Sequence, residues 1–304
     1  MCGIAGIFFK DGQGNRPVGH ALVDMLDGCQ HRGPDSTGFA LYGAGDDHLV
    51  LRFLVGEGPE REAAIERIRS ILSEFAATPV EERLTGVTWR VTVAFAGDIQ
   101  AFAYALERGA KLLSVGRRLD IIKDCGTARD VDRVYGISGI NGTHGIGHVR
   151  LATESDVRPE AAHPFWATGF ADVAIVHNGQ ITNYWKMRRA LEQRDFEFRT
   201  ENDSELIAVY LADQLRSGAS LNAALERAVE DLDGTFSFLV ATGDGLGCAK
   251  DKLAAKPMVM METDELVAIA SEEVSLNRLF PGRQLNTSEP PPGSFATWSR
   301  SILP

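Results

Sequence analysis

Two amphipathic stretches, 204–215 and 221–232, stand between blocks of sequence with strand pattern, and this alternation constrains the fold more than any single motif. In the first, Leu206, Ile207, Tyr210, Leu211 and Leu215 share one face, the 3.6-residue period of a helix that buries one side. Strand-like runs precede it at 2–9, 37–42 and 172–177, and others follow at 235–241, 258–261 and 266–270. Helices set between strand-rich blocks fit a sandwich in which helices cover sheets, an α+β architecture. The 304 residues suffice for one large domain or two ordinary ones, and a 44% apolar content fills a sizeable core.

Residues 43–135 read as a compact insert with an α+β pattern of its own. Within it, 61–77 places Ile65, Ile68, Leu72 and Phe75 at helical spacing. Val87, Trp89, Val91, Val93 and Phe95 alternate with Thr88, Arg90 and Thr92, the two-residue period of a half-buried strand. A second helix is expected at 98–108, with Ile99, Phe102, Ala103 and Leu106 inward, then short strands at 111–115 and 119–123. The insert holds no catalytic cluster, and the domain organisation reads as one unit, 1–304, interrupted by 43–135.

A net charge of −11 weighs against nonspecific binding to nucleic acid or to an anionic membrane. No apolar run is long enough to span a bilayer, and no basic region precedes the first apolar stretch, as a secretory signal requires. Cys2, Cys29, Cys125 and Cys248 lie far apart without a CxxC pair. That spacing argues against a zinc site or a disulfide framework and for a reducing, cytoplasmic compartment.

Cys2 is the residue with the most chemical potential. Removal of Met1 would leave a free α-amine (pKa about 7.7–8.0) and a thiol (pKa about 8.5) on one residue, a nucleophile carrying its own base. Taken alone, a small buried thiol opening a strand is the better reading. The other polar segments have equally plain readings. Gly33-Pro34-Asp35 is turn chemistry. Residues 145–153 carry two glycines and a basic residue but lack the spacing of either phosphate-binding loop. Asn178-Gly179 between apolar runs signals a hairpin. Thr200 to Asp203 has capping-box spacing, which would set Asp203 at the positive end of a helix.

Five segments occur in order: CGIAGI from Cys2, HRGPDS from His31, GHVRLAT from Gly147, VHNG from Val176 and ENDSE from Glu201. Together they resemble the class II glutamine amidotransferases, whose N-terminal cysteine places them among the N-terminal nucleophile hydrolases. DKLAAKP from Asp251 and ASE from Ala270 resemble later strand segments of that family. The resemblance implies an α+β fold, the four-layer αββα sandwich, with the α+β insert added. It also implies that Cys2 attacks the side-chain amide of L-glutamine, giving a γ-glutamyl thioester and ammonia while the α-amine moves protons. Asn178 and the backbone N–H of Gly179 would hold the oxyanion. Arg150 would clamp the substrate α-carboxylate with help from Thr153, and Asp203 would hold its ammonium. Arg32 would organise the surroundings of the nucleophile, whereas His31, His148, His163 and His177 read as structural. Leu151 and Glu154 stand where some members carry an aromatic residue and a histidine, with consequences for glutamine affinity or loop closure.

The chain ends soon after this region, so the ammonia acceptor is expected on a separate subunit in a hetero-oligomer. The opening, SVGRRLDIIKDCG from Ser114 and GINGTHGIGHVRLATES from Gly139 are similar to the amidotransferase subunit of glutamate-synthase-like complexes such as N-methylglutamate synthase. In such a complex this chain would hold no cofactor or metal, and flavin or iron–sulfur centres would belong to the partner subunits. The alternative is a glutamine-binding or assembly subunit with little turnover. An amidase for another amide is disfavoured by Arg150 and Asp203, which suit a free amino acid.

Overall fold

The computed structural model describes residues 2–45, 47–151 and 158–300. The chain opens on β1 (Gly3–Phe9), followed by α1 (Val18–Gly28) and β2 (Ser36–Tyr42). It then builds β3 (Leu49–Leu54), α2 (Pro59–Glu74), β4 (Thr78–Thr85), β5 (Thr88–Ala94), α3 (Ile99–Leu106) and β6 (Lys111–Gly116). Next come β7 (Leu119–Cys125), α4 (Ala128–Tyr135), β8 (His144–Arg150), β9 (Phe165–Trp166) and β10 (Ala174–Ile181). Three helices follow, α5 (Tyr184–Glu192), α6 (Asp203–Arg216) and α7 (Leu221–Asp231). The last elements are β11 (Gly234–Thr242), β12 (Gly245–Lys250), β13 (Val259–Glu262), β14 (Leu266–Ala270), α8 (Glu273–Leu279) and β15 (Phe295–Ser299).

Two antiparallel sheets face each other, one in the order β13-β14-β1-β8-β2-β7 and the other β15-β12-β11-β10-β9. Their facing sides meet through Ile4, Phe8, Ala40 and Ile146 on one and Val176, Leu239 and Ala241 on the other. Outside the first sheet, Leu22, Met25 and Leu26 of α1 cover Ala5, Ile7 and Phe39, with Leu276 of α8 and Val131 of α4 in the same cluster. Outside the second, Leu206, Ile207 and Leu211 of α6 and Leu225 of α7 cover Ile175, Phe236 and Phe238. This is the four-layer αββα sandwich expected from the sequence. Covering β1 on both faces explains why its seven residues read as an almost unbroken apolar run. Each large side chain fully buried in this way contributes roughly 1.5–3 kcal/mol.

Three local expectations change. Asn178-Gly179 is not a hairpin turn: β10 runs straight through it, with Asn178 opposite Ser237 and Gly179 opposite Phe236. The cap of α6 is Asn202, whose side chain accepts from the Ser204 amide at 2.8 Å. Thr200 instead gives its amide and hydroxyl, each at 2.7 Å, to the Glu205 carboxylate. Finally, the separate sheet of the insert, β4-β5-β3-β6, ends at Gly116, while β7 pairs with β2 in the main sheet and α4 lies against α1. That added layer is therefore shorter than 43–135. β4 escaped the sequence reading because it is an edge strand exposed along nearly its whole length, so no apolar alternation marks it.

Candidate active site

Cys2 sits at the head of β1, where Gly3 pairs with Val149 near the end of β8. This register brings the thiol to the backbone of Leu151: the Leu151 amide donates to Cys2 Sγ at 3.4 Å, and the thiol reaches the Leu151 carbonyl at 3.9 Å. The carbonyl of Cys2 accepts two hydrogen bonds from opposite sides, Arg32 Nε at 3.0 Å and Asn178 Nδ2 at 3.0 Å. Arg32 belongs to the short 3-10 turn after α1 (Gln30–Arg32). Its guanidinium pairs with Glu272, which also meets the exposed His31 at 3.0 Å.

Asn178 and Gly179 come from β10, in the opposing sheet. Gly179 has φ +140°, and a Cβ placed there would lie 1.9 Å from the Thr235 carbonyl oxygen. Only glycine lets β10 pass at this point. Ser271, just after β14, locks the floor: its Oγ accepts from the Ile4 amide at 3.0 Å and stands 3.4 Å from Asn178 Nδ2. Cys2, Arg32, Leu151, Asn178, Gly179, Lys256 and Pro257 enclose a cavity of about 180 Å³. That is smaller than the roughly 300 Å³ at which sites for drug-sized ligands begin, and it suits a side-chain-sized group.

Arg150 faces a second cavity, about 400 Å³, shared with Arg158, Glu160, Thr200, Glu201 and Asn202. The two cavities flank adjacent residues of one chain segment, Arg150 and Leu151. Asp203 lines neither of them. It is the first residue of α6, and its carboxylate accepts from the Ile181 amide at 3.1 Å and lies 3.5 Å from His177 Nδ1. Burial pushes this carboxyl upward, but hydrogen bonding and charge from His177, with the Ile181 and Ser204 amides, hold it below the usual range. Thr153 and Glu154 lie outside the described residues.

The histidines behind the site form a buried group rather than a set of bases. His148 and His163 stack with ring centroids 4.1 Å apart. His163 Nε2 and His177 Nδ1 both meet Ser204 Oγ, at 2.7 and 3.1 Å. Burial and the neighbouring His177 lower His148 to about 3, and burial with His148 lowers His163 as well. Both are neutral at pH 7, and neither lines the Cys2 cavity.

Sequence reasoning assigned no role to Ser271, Glu272, Lys256 or Pro257. Their only signal was the pair of late segments DKLAAKP and ASE, which the fold carries back to the first strand. Among the described residues, no group of three or more His, Cys, Asp or Glu is placed to hold a metal, and no helix is long and apolar enough to cross a membrane.

Comparison with known proteins points the same way. Residues 148–278 match the model of a glutamine amidotransferase domain. A "Putative glutamine amidotransferase" of Methanothermobacter thermautotrophicus is 39% identical over 299 residues, covering 95% of this chain and 97% of that protein. The "Glutamine amidotransferase-like protein GlxB" of Rhizobium meliloti is 36% identical over 98% of each. Among solved structures, glutamine phosphoribosylpyrophosphate amidotransferase from B. subtilis superposes with a TM-score of 0.60 at 19% identity. It covers 99% of this chain, which spans about half, 49%, of that one. The likeness is one of fold: this chain shares the architecture of that amidotransferase along nearly its whole length.

Proposed function

The chain belongs to the glutamine amidotransferase family, and from that premise we propose that it hydrolyses L-glutamine through Cys2 and delivers the ammonia to a separate synthase subunit. The observation that carries the proposal is the convergence of Cys2, Asn178 and Gly179, from two sheets, on one cavity of about 180 Å³. Once Met1 is removed, the Cys2 amine takes the thiol proton and Sγ adds to the side-chain amide carbon. The resulting oxyanion is held by Asn178 Nδ2 and the Gly179 amide, a pair of donors each worth about 2.7–4 kcal/mol in comparable sites. The amine then gives its proton to the leaving nitrogen, ammonia departs, and a γ-glutamyl thioester remains. Water attacks the thioester and glutamate is released.

Arg32 acts on the position of Cys2 rather than on the substrate, since its bond goes to the Cys2 carbonyl. Arg150, with its planar fork, suits the α-carboxylate, and Asp203, kept ionised by its partners, suits the α-ammonium. Thr153 completes the carboxylate site. The acceptor is a glutamate-synthase-like or N-methylglutamate synthase subunit in a cytoplasmic hetero-oligomer, and any flavin or iron–sulfur centre resides there.

The test measures ammonia release from glutamine by the full chain, with and without co-purified partner, together with the mass of the mature N-terminus. Cys2→Ala is expected to lower turnover by about a thousandfold or more, and an electrophilic glutamine analogue is expected to label Cys2 alone. Undiminished turnover in Cys2→Ala refutes the mechanism. Glutamine binding without labelling replaces it with the assembly-subunit reading.

A further inference from the structure

The polar half of β5 is largely covered: Thr88 and Thr92 are buried, and the Arg90 side chain is 25% exposed. Its Arg90 stands directly opposite Arg52 of β3 on one side and Arg83 of β4 on the other. Three guanidinium groups therefore lie side by side across three neighbouring strands. Like charges in directly opposed positions destabilise a sheet, so a row of this kind requires compensation.

The compensation present is partial. Asp120 of β7 is forked by Arg52, Nε to Oδ1 at 2.6 Å and Nη2 to Oδ2 at 2.8 Å, and is reached by Arg90 Nε at 3.2 Å. Burial pushes its carboxyl up, but Arg52 and Arg90 outweigh burial and hold it ionised. Glu81 touches Arg90 Nη1 only at 3.4 Å, with a side chain 65% exposed. Arg83 makes no ion pair or side-chain hydrogen bond among the described residues. One positive charge is left in excess, and it borders a cavity of about 440 Å³ between the insert sheet and the main sheet. The far wall of that cavity is Ile122 of β7, Tyr135 of α4 and Ile140.

We propose that this cleft binds a small organic anion, its phosphate or carboxylate group clamped between Arg83 and Arg90 and its body lying against Ile122, Tyr135 and Ile140. The three arginines, with Asp120 as their fixed counter-charge, face a wall of Ile122, Ile140 and the ring of Tyr135, whose hydroxyl is turned to Asp124. Together they make a site for a ligand with one charged end. Arg52, whose donors are used by Asp120 and Thr88, fixes the floor. Arg90 and Arg83 keep donors for the ligand, and Glu81 swings outward when it enters. The site is independent of the Cys2 cavity, so the proposal stands or falls without the glutaminase reading.

The experiment uses the full chain at constant ionic strength, maintained with chloride to remove general screening. Inorganic phosphate and succinate are titrated separately while thermal midpoint and heat of binding are followed. Saturable binding of at least one probe is expected, and the tighter probe identifies the group the site prefers. Arg83→Ser, at an exposed position on an edge strand, is expected to weaken binding about tenfold or more, the scale of one lost charge-assisted contact. Arg150→Ala is expected to leave it unchanged, excluding the amino-acid site. Without anion, Arg83→Ser is expected to raise the thermal midpoint by relieving the opposition to Arg90, whereas a merely structural arginine would lower it. Absence of saturation by both probes, or equal affinity in wild type and Arg83→Ser, overturns the proposal.

Discussion

Replacing Gly179 by alanine tests the geometry of the site and of β10 at once. The added Cβ would lie 1.9 Å from the Thr235 carbonyl oxygen and 2.8 Å from Phe236 Cα. Both neighbours are backbone, so no side chain can rotate away. The φ of +140° adds strain of about 1–3 kcal/mol for a residue with a Cβ. Forcing a methyl group into a filled interior costs about 1–3 kcal/mol more. The expected loss is therefore roughly 2–6 kcal/mol, a large part of the roughly 5–15 kcal/mol that holds a typical domain together. Gly43→Ala is the matched control, because nothing lies within 4 Å of its built Cβ. There the gain from a stiffer unfolded chain should leave stability equal or about 0.4–1 kcal/mol higher. Urea unfolding of the full chain, read by circular dichroism, measures both variants. The remaining folded Gly179→Ala is also expected to lose glutaminase activity, because relief of the clash turns the amide away from the cavity. A Gly179→Ala midpoint equal to that of Gly43→Ala would refute the reasoning.

Other expectations separate catalysis from stability. Asn178→Ala should lower kcat by about 100–1000-fold yet cost only about 0.5–1.5 kcal/mol of stability, because the Cys2 carbonyl keeps its bond from Arg32; paired turnover and unfolding curves check this, and a large stability loss with little change in kcat contradicts it. Asp203 has a folded-state carboxyl held below its ordinary 3.8, so its contribution is complete above that value and disappears as pH falls through the lower one. Asp203→Asn should flatten the acid limb of stability below about pH 4 and raise KM for glutamine, and an unchanged KM removes it from the substrate site. Lys123, its Nζ bonded to the Ala162 carbonyl at 2.7 Å, is lowered from 10.5 to about 7 by burial and by Lys111. Between those values the unfolded chain binds a proton that the folded chain refuses, so stability rises with pH from about 7 to 10.5. Lys123→Met should abolish that rise in urea titrations at pH 7 and 9.5, and a parallel rise in the variant counts against the assignment.

Much of this fold was legible because its signals are local. α6 and α7 declare themselves by helical period, and β1 by an apolar run that both covered faces demand. The order of the motifs anticipated that Cys2, Arg32, Asn178 and Gly179 would meet. What stayed hidden depends on which distant strands lie side by side. Ser271 and Glu272 reach Cys2 only because β14 returns to pair with β1, and the segment ASE from Ala270 signals a strand without saying which strand it joins. The row of Arg83, Arg90 and Arg52 is likewise a product of register across three strands. From sequence, Arg90 looked like one polar position on a half-buried strand. Asn178-Gly179 misled as a turn because its usual hairpin geometry gives way here to a close approach of two strands.

The placement of β1 has a consequence for timing during synthesis. Its two neighbours in the sheet are β8, at residues 144–150, and β14, at residues 266–270. β1 is thus made well before β14, the strand that completes its pairing. At about 5–20 residues per second, roughly 10–50 s separate the appearance of Cys2 from that of β14. Throughout that interval β1 has no partner for one of its two edges. Until β14 is made, Ser271, whose Oγ accepts from the Ile4 amide, is missing as well, so the surroundings of Cys2 are among the last parts of the sandwich to be assembled.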